Sequence, residues 1–294
     1  MRICSMLPSA TEIVALLGAA DRLVGVSEEC DWPPEVRGVP VVTTSRVDAA
    51  QLTSTQIDGA VRNAVADGQS LYAVDAELLD ELEPDLVITQ DLCTVCAVST
   101  DDVVRVCDVE TLSLDPHTLE EVTQSVEAVA ARLGMPERGR EVAGRMRETI
   151  AATTAHVAGL PRTRIFVAEW LDPPFASGHW VPEMVAAAGG EEVLGRPGEP
   201  SFTTSWDAVR ATAPELIVVA ACGFDARRAA EEAAGIDLPA PAVAVDANAY
   251  YSRPSPRLAE GVRQLAHLLH PSAAPNPGLP LVELSGATVL SAEA

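Results

Sequence analysis

The chain is 294 residues long, more than one hydrophobic core usually organises, so two domains are the natural expectation. Its composition, 48% hydrophobic and 21% charged, is that of an ordinary globular protein. Against 43 Asp and Glu there are only 20 Lys and Arg, a formal charge of −23 with no basic cluster, which sets aside nucleic acid and anionic membrane surfaces as partners.

Residues 2–6 form a short apolar strand that runs directly into Pro8-Ser9-Ala10-Thr11. A secretory leader needs a basic region, an apolar stretch and a small-residue cleavage site, so this start predicts a cytoplasmic protein. No later stretch reaches the roughly 18 uninterrupted apolar residues of a membrane span, which predicts no membrane insertion. Ser9-x-x-Glu12 reads as a capping box opening a helix with Ile13, Leu16 and Leu17 on one face. A strand over 23–26 leads to the loop Glu28-Glu29-Cys30-Asp31-Trp32-Pro33-Pro34, which its prolines keep irregular. Residues 39–43 are extended, 54–66 and 76–82 helical, and 86–89 a continuous apolar strand of the kind covered on both faces. Two helices over 118–133 and 137–157 are separated by Gly134-Met135-Pro136, and the second would be about 30 Å long, a stiff connection. Beyond it come strand 164–168, helices 181–188 and 206–212, strand 216–220, helix 226–234, strand 242–245 and helix 256–269. From Pro271 onward, Pro and small residues predict a flexible tail dispensable for binding.

The chain also echoes itself. Residues 2–26 share their order of strand, Pro-containing loop and helix with 164–195, and LLDELEPDLVITQDLC (78–93) shares its helix, Pro-acid-Leu turn and buried strand with WDAVRATAPELIVVAACGF (206–224). The expected fold is therefore α/β, with two Rossmann-like lobes, each on a central parallel sheet, joined by a long rigid helix. The expected boundaries are an N-terminal lobe over 1–136, a backbone helix over 137–159, a C-terminal lobe over 160–270 and a tail over 271–294. Lobes of this kind bind ligands at the carboxyl ends of their strands, in a cleft between them.

Those strand exits supply the candidate binding residues. The first lobe offers Pro8, Ser9, Glu28, Cys30, Trp32, Ser45, Gln90, Asp91 and Cys93, and the second Glu169, Trp170, His179, Trp180, Cys222, Phe224, Tyr250, Tyr251 and Arg253. Aromatic residues are only 4% of the chain, yet all four Trp fall in loops or at loop edges, where they suit a large flat ligand. His179 is a candidate axial ligand to a chelated metal, because imidazole binds cobalt and iron well. The other histidines, His117, His156, His267 and His270, lie on connecting segments or the last helix and are weaker candidates. Cys93-Thr94-Val95-Cys96 follows a buried strand, and its C-x-x-C spacing fits a soft-metal or redox pair, with Cys30 and Cys222 as further thiols. Nucleophile elbows, phosphate loops, metalloprotease helices and dinucleotide fingerprints are all absent from the sequence, which predicts binding without catalysis.

The segments PSATEIVALLGAADRLVGVSEECDWPPE, QDLCTVCAVS, EWLDPPFASGHWVPEMVAAAGG and DANAYYSRPSPRL resemble the cobalamin-binding type of ABC-transporter substrate-binding protein, of the helical-backbone class related to siderophore and haem binders. The resemblance covers about residues 1–270. It implies the helical-backbone substrate-binding-protein fold, a corrinoid such as cobalamin or a similar small metal chelate as ligand, and an ABC transporter or a corrinoid-using enzyme as partner. The competing expectation is a thiolate metal-binding or redox protein, or an enzyme, working through Cys93 and Cys96 with Cys30 and Cys222.

Overall fold

The computed structural model describes residues 1–284 other than 48, 50, 51, 68, 69, 92–97, 99–102 and 104–108. The chain divides into two compact units, Met1–Pro116 with Glu120–Gly144, and His117–Leu119 with Arg145–Ala294. Both are α/β.

In the first unit β1 (Ile3–Ser5), β2 (Leu23–Val26), β5 (Leu86–Thr89) and β6 (Thr111–Ser113) form a parallel sheet in the order β2-β1-β5-β6. A separate antiparallel pair joins β3 (Thr43–Ser45) to β4 (Tyr72–Val74). Alternation along the strands feeds two apolar clusters. Ile3, Leu86 and Ile88 pack with Ile13, Val14, Leu17, Val126 and Val129, while Cys4 and Val87 pack with Val42, Leu79 and Val103. Every residue of β5 is buried, as its unbroken apolar sequence predicts.

In the second unit β7 (Thr163–Leu171), β11 (Leu216–Val219) and β12 (Ala242–Val245) are adjacent and mutually parallel. The sheet runs β10-β8-β7-β11-β12-β13, with β8 (Pro174–Ala176), β10 (Phe202–Thr203) and β13 (Leu281–Leu284) antiparallel to their neighbours, and β9 (Gly190–Glu192) parallel to the start of β7. The helix Pro136–His156 crosses the division, residues 136–144 being grouped with the first unit and the remainder with the second.

The internal repeat holds at the level of register. Ile3 faces Leu86 in the first unit and Ile165 faces Leu216 in the second. The strand starts are fastened in the same way. The Arg2 backbone N–H donates to the Asp85 carboxylate at 2.6 Å, the Asp85 N–H returns to the Arg2 carbonyl at 2.9 Å, and Arg2 Nε reaches the Leu82 carbonyl. Arg164 and Glu215 exchange the corresponding bonds at 2.9 and 2.7 Å, and Arg164 Nη2 reaches the Thr212 carbonyl. The residue before each proline, Glu83 and Ala213, is left-handed at φ 41° and 48°.

Two expectations are corrected. The first helix opens at Pro8 with Leu7 at its N-cap and no side-chain cap, so Ser9 and Glu12 form no capping box; both are buried, and Pro at the first helical position serves instead. The true capping box is Thr53 with Gln56. The stretch after Pro271 is not all tail, because Leu281–Leu284 adds β13 to the edge of β12.

Candidate functional site

Parallel strands carry side chains out at their carboxyl ends, where the chain turns away and polar or aromatic groups can face a ligand. In the second unit β7, β11 and β12 lie side by side, so residues following them converge on one sheet edge. The Trp170 ring lies 5.3 Å from that of Phe224, and the Arg228 guanidinium sits 4.1 Å over the Phe224 ring. The Cys222 N–H donates to the Glu169 carbonyl at 3.0 Å, and the Asn248 N–H to the Phe224 carbonyl at 3.2 Å, which ties the three exits together. After β12, Asp246 caps the short helix Ala247–Tyr250, and the Arg257 guanidinium lies 4.8 Å over the Tyr250 ring. The result is an edge with aromatic faces, two guanidinium groups and an exposed Cys222. The indole N–H of Trp170 is buried without a partner.

Just inside this edge lie two buried acids. The Glu169 carboxylate accepts the Gly178 N–H at 3.0 Å, and burial, only partly offset by that bond, pushes its pKa up to about 8. Glu192 accepts the N–H groups of Val167, Leu194 and Gly195, and burial still pushes it up to about 7. Gly178 has to be glycine, because a Cβ there would collide with backbone atoms of Glu199, Pro200 and Ser201. Asp246 is raised as well, by burial first, against the N–H of Ala249.

The remaining second-unit candidates point elsewhere. Trp180 is 4% exposed and its indole donates to the Tyr251 carbonyl at 2.7 Å, while Tyr251 is 1% exposed and its hydroxyl bonds Gln264 at 2.8 Å. Both aromatics fill the interior instead of walling the sheet edge. Arg253 is also buried. His179 occupies a left-handed residue at φ 49°, its ring 5.4 Å from that of His117.

The strand exits of the first unit are polar. Ser9, Cys30 and Gln90 are buried, Pro8, Trp32 and Ser45 half-buried, and Glu28 and Asp91 exposed. The Asp91 N–H donates to Asp115 at 2.6 Å and its carboxylate accepts from Ser113 at 2.9 Å. Burial raises Glu28, against the Ser45 N–H, with the charge of Glu29 adding to it. Cys30 is enclosed by hydroxyls: its sulfur lies 3.0 Å from Thr11 Oγ1 and 3.4 Å from Ser27 Oγ, and Thr11 donates to Ser5, which donates to the Leu7 carbonyl. Cys93 and Cys96 lie outside the described residues.

The sequence reading missed Arg228, Arg257, Glu192 and Asp246, and ranked His117 among the weaker histidines. Arg228 had one available signal, its place four residues after Phe224 on the first turn of a helix capped by Asp225. Asp246 directly follows β12 and was legible as a helix cap, while Glu192 reaches the site through the pairing of β9 with β7.

The Periplasmic binding protein family model matches residues 3–238. The chain belongs to that family. A vitamin B12-binding protein of Salmonella choleraesuis (strain SC-B67) is 24% identical over 270 residues, 91% of this chain and 90% of its own. Among solved structures, a periplasmic heme binding protein from Pseudomonas aeruginosa superposes with a TM-score of 0.72 at 21% identity, covering 98% of this chain and 99% of its own. The vitamin B12 binding protein BtuF of Vibrio cholerae does so with a TM-score of 0.67 at 22% identity, covering 91% and 96%. The fold of this chain is thus the helical-backbone one that the sequence resemblance implies. Among its described residues no helix is long and apolar enough to cross a membrane.

Proposed function

We propose that the protein binds a metal chelate, a corrinoid or related tetrapyrrole, without chemistry on it, and hands it to an ABC transporter or to an enzyme that uses it. The observation that carries this reading is the sheet edge at β7, β11 and β12. There the Trp170 and Phe224 rings offer flat apolar area, and Arg228 and Arg257 offer charge to anionic substituents around a macrocycle. Vitamin B12-binding relatives and heme-binding structural neighbours support it. The thiol-centred alternative draws less support, since one of its four sulfurs, Cys30, is buried and already in hydrogen-bond contact with Thr11 and Ser27.

Calorimetric titration of the reduced protein with hydroxocobalamin, cyanocobalamin and haemin tests the proposal. Micromolar or tighter binding of at least one is expected, with Trp170→Ala weakening it about tenfold or more and Cys222→Ser leaving it unchanged. No heat with any of the three, or loss of binding only on cysteine replacement, would refute it. Cell fractionation decides between a transporter and an enzyme as recipient.

A further inference from the structure

We infer that His117 and His179 together form a site for a single divalent transition ion, a ligand that the chelate reading does not require. The two imidazole centres are 5.4 Å apart with their planes tilted by 42°. Stacked rings would be closer to parallel. Two imidazoles bound to one tetrahedral ion, with metal–nitrogen distances of about 2.0–2.1 Å, place their ring centres about 5 Å apart.

Nε2 of His179 is buried and has no hydrogen-bond partner. A buried ring nitrogen in that condition is rare enough to call for an explanation, and a bound ion is one of the few available.

Both rings are also held in place by their backbone. The His179 N–H donates to the Glu199 carbonyl at 2.6 Å and its carbonyl accepts the Gly198 N–H at 2.9 Å, which sustains φ 49° at a residue that is not glycine. Such strain is kept where a side chain must be aimed. His117 lies two residues before Leu119, whose N–H donates to Glu183 at 2.8 Å. Glu183 is in the first turn of the helix Val181–Ala187, which begins two residues after His179. One helix therefore positions both imidazoles. Among the described residues no group of three His, Cys, Asp or Glu side chains could hold a metal, so solvent would complete the coordination. Imidazole donors of this kind suit Ni²⁺, Cu²⁺ or Zn²⁺.

The test is titration of the full chain with Ni²⁺ by calorimetry, together with electron paramagnetic resonance of the Cu²⁺ form. One Ni²⁺ per chain is expected, weakened about tenfold or more by either His117→Gln or His179→Asn, with the double variant no worse than either single one. Asparagine is chosen at 179 because it tolerates the left-handed backbone. Wild-type protein carrying Cu²⁺ should show coupling to two nitrogens, a readout that does not depend on any variant folding. Absence of Ni²⁺ binding, unchanged affinity in both variants, or a Cu²⁺ spectrum of thiolate character would overturn the site.

Discussion

The two units are most alike where their strands begin and least alike where they end. At the beginnings, Arg2 with Asp85 and Arg164 with Glu215 form the same paired backbone lock, in the same register, after the same left-handed residue and proline. At the ends, the first unit has buried Thr89 and Gln90 followed by exposed Asp91, whereas the second has Val219, Ala220 and Ala221 followed by Cys222 and Phe224. The shared end holds strands together, a task any ligand leaves unchanged. The carboxyl ends of the strands are where α/β folds vary with function, and there one unit is polar and the other aromatic.

The largest effect that would sharpen this contrast is electrostatic and belongs to the second unit. Glu169 has an unperturbed pKa of 4.5 and sits at about 8 in the folded protein. Below pH 4.5 both states hold the proton; between there and about pH 8 the unfolded chain has lost it and the native state has not, so stability falls as pH rises. Glu169→Gln keeps an acceptor for Gly178 and removes the charge. It is expected to stabilise the protein by up to about 4 kcal/mol at pH 8 and hardly at all at pH 4.5, in chemical denaturation at the two pH values. Equal gains at both would mean that the buried carboxyl is not the cause.

A smaller effect would break the likeness between the locks. Arg164→Ala removes bonds to the Thr212 carbonyl and the Glu191 carboxylate and should cost about 1–2 kcal/mol. Arg2→Ala removes one exposed bond and should cost about 1 kcal/mol or less. Denaturation midpoints in which Arg2→Ala is the more damaging would overturn this ranking. Smallest are the gains at the left-handed residues. Ala213→Gly and Glu83→Gly each relieve a Cβ conflict and should raise stability by about 0.5–1 kcal/mol, read as a rise in melting temperature.

Much of the architecture was legible because its signals are local. Leu86–Thr89 and Ala242–Val245 are unbroken apolar runs, and the helix Ala76–Leu82 has its expected bounds. Strands of two or three residues, such as Pro174–Ala176 and Phe202–Thr203, exist only through their partners and have no period of their own to read. The Ser9-x-x-Glu12 pattern misled because the proline before it had already set the helix start. At the site, Trp170, Cys222 and Phe224 were legible as residues at strand exits, while Trp180 and Tyr251 look the same in sequence and are drawn inward by each other. Arg257 over Tyr250 and His117 beside His179 are meetings that only the folded chain arranges.

The late strand β13 has a consequence for how the protein behaves in solution. It covers β12, whose four residues Ala-Val-Ala-Val are all buried and apolar. Without Leu281–Leu284, that flat β-rich stretch would become an open border with unpaired N–H and C=O groups, ready to recruit the same border of another molecule. The strand therefore acts as a hem: a shortened chain could keep its binding residues intact and still be lost to self-association.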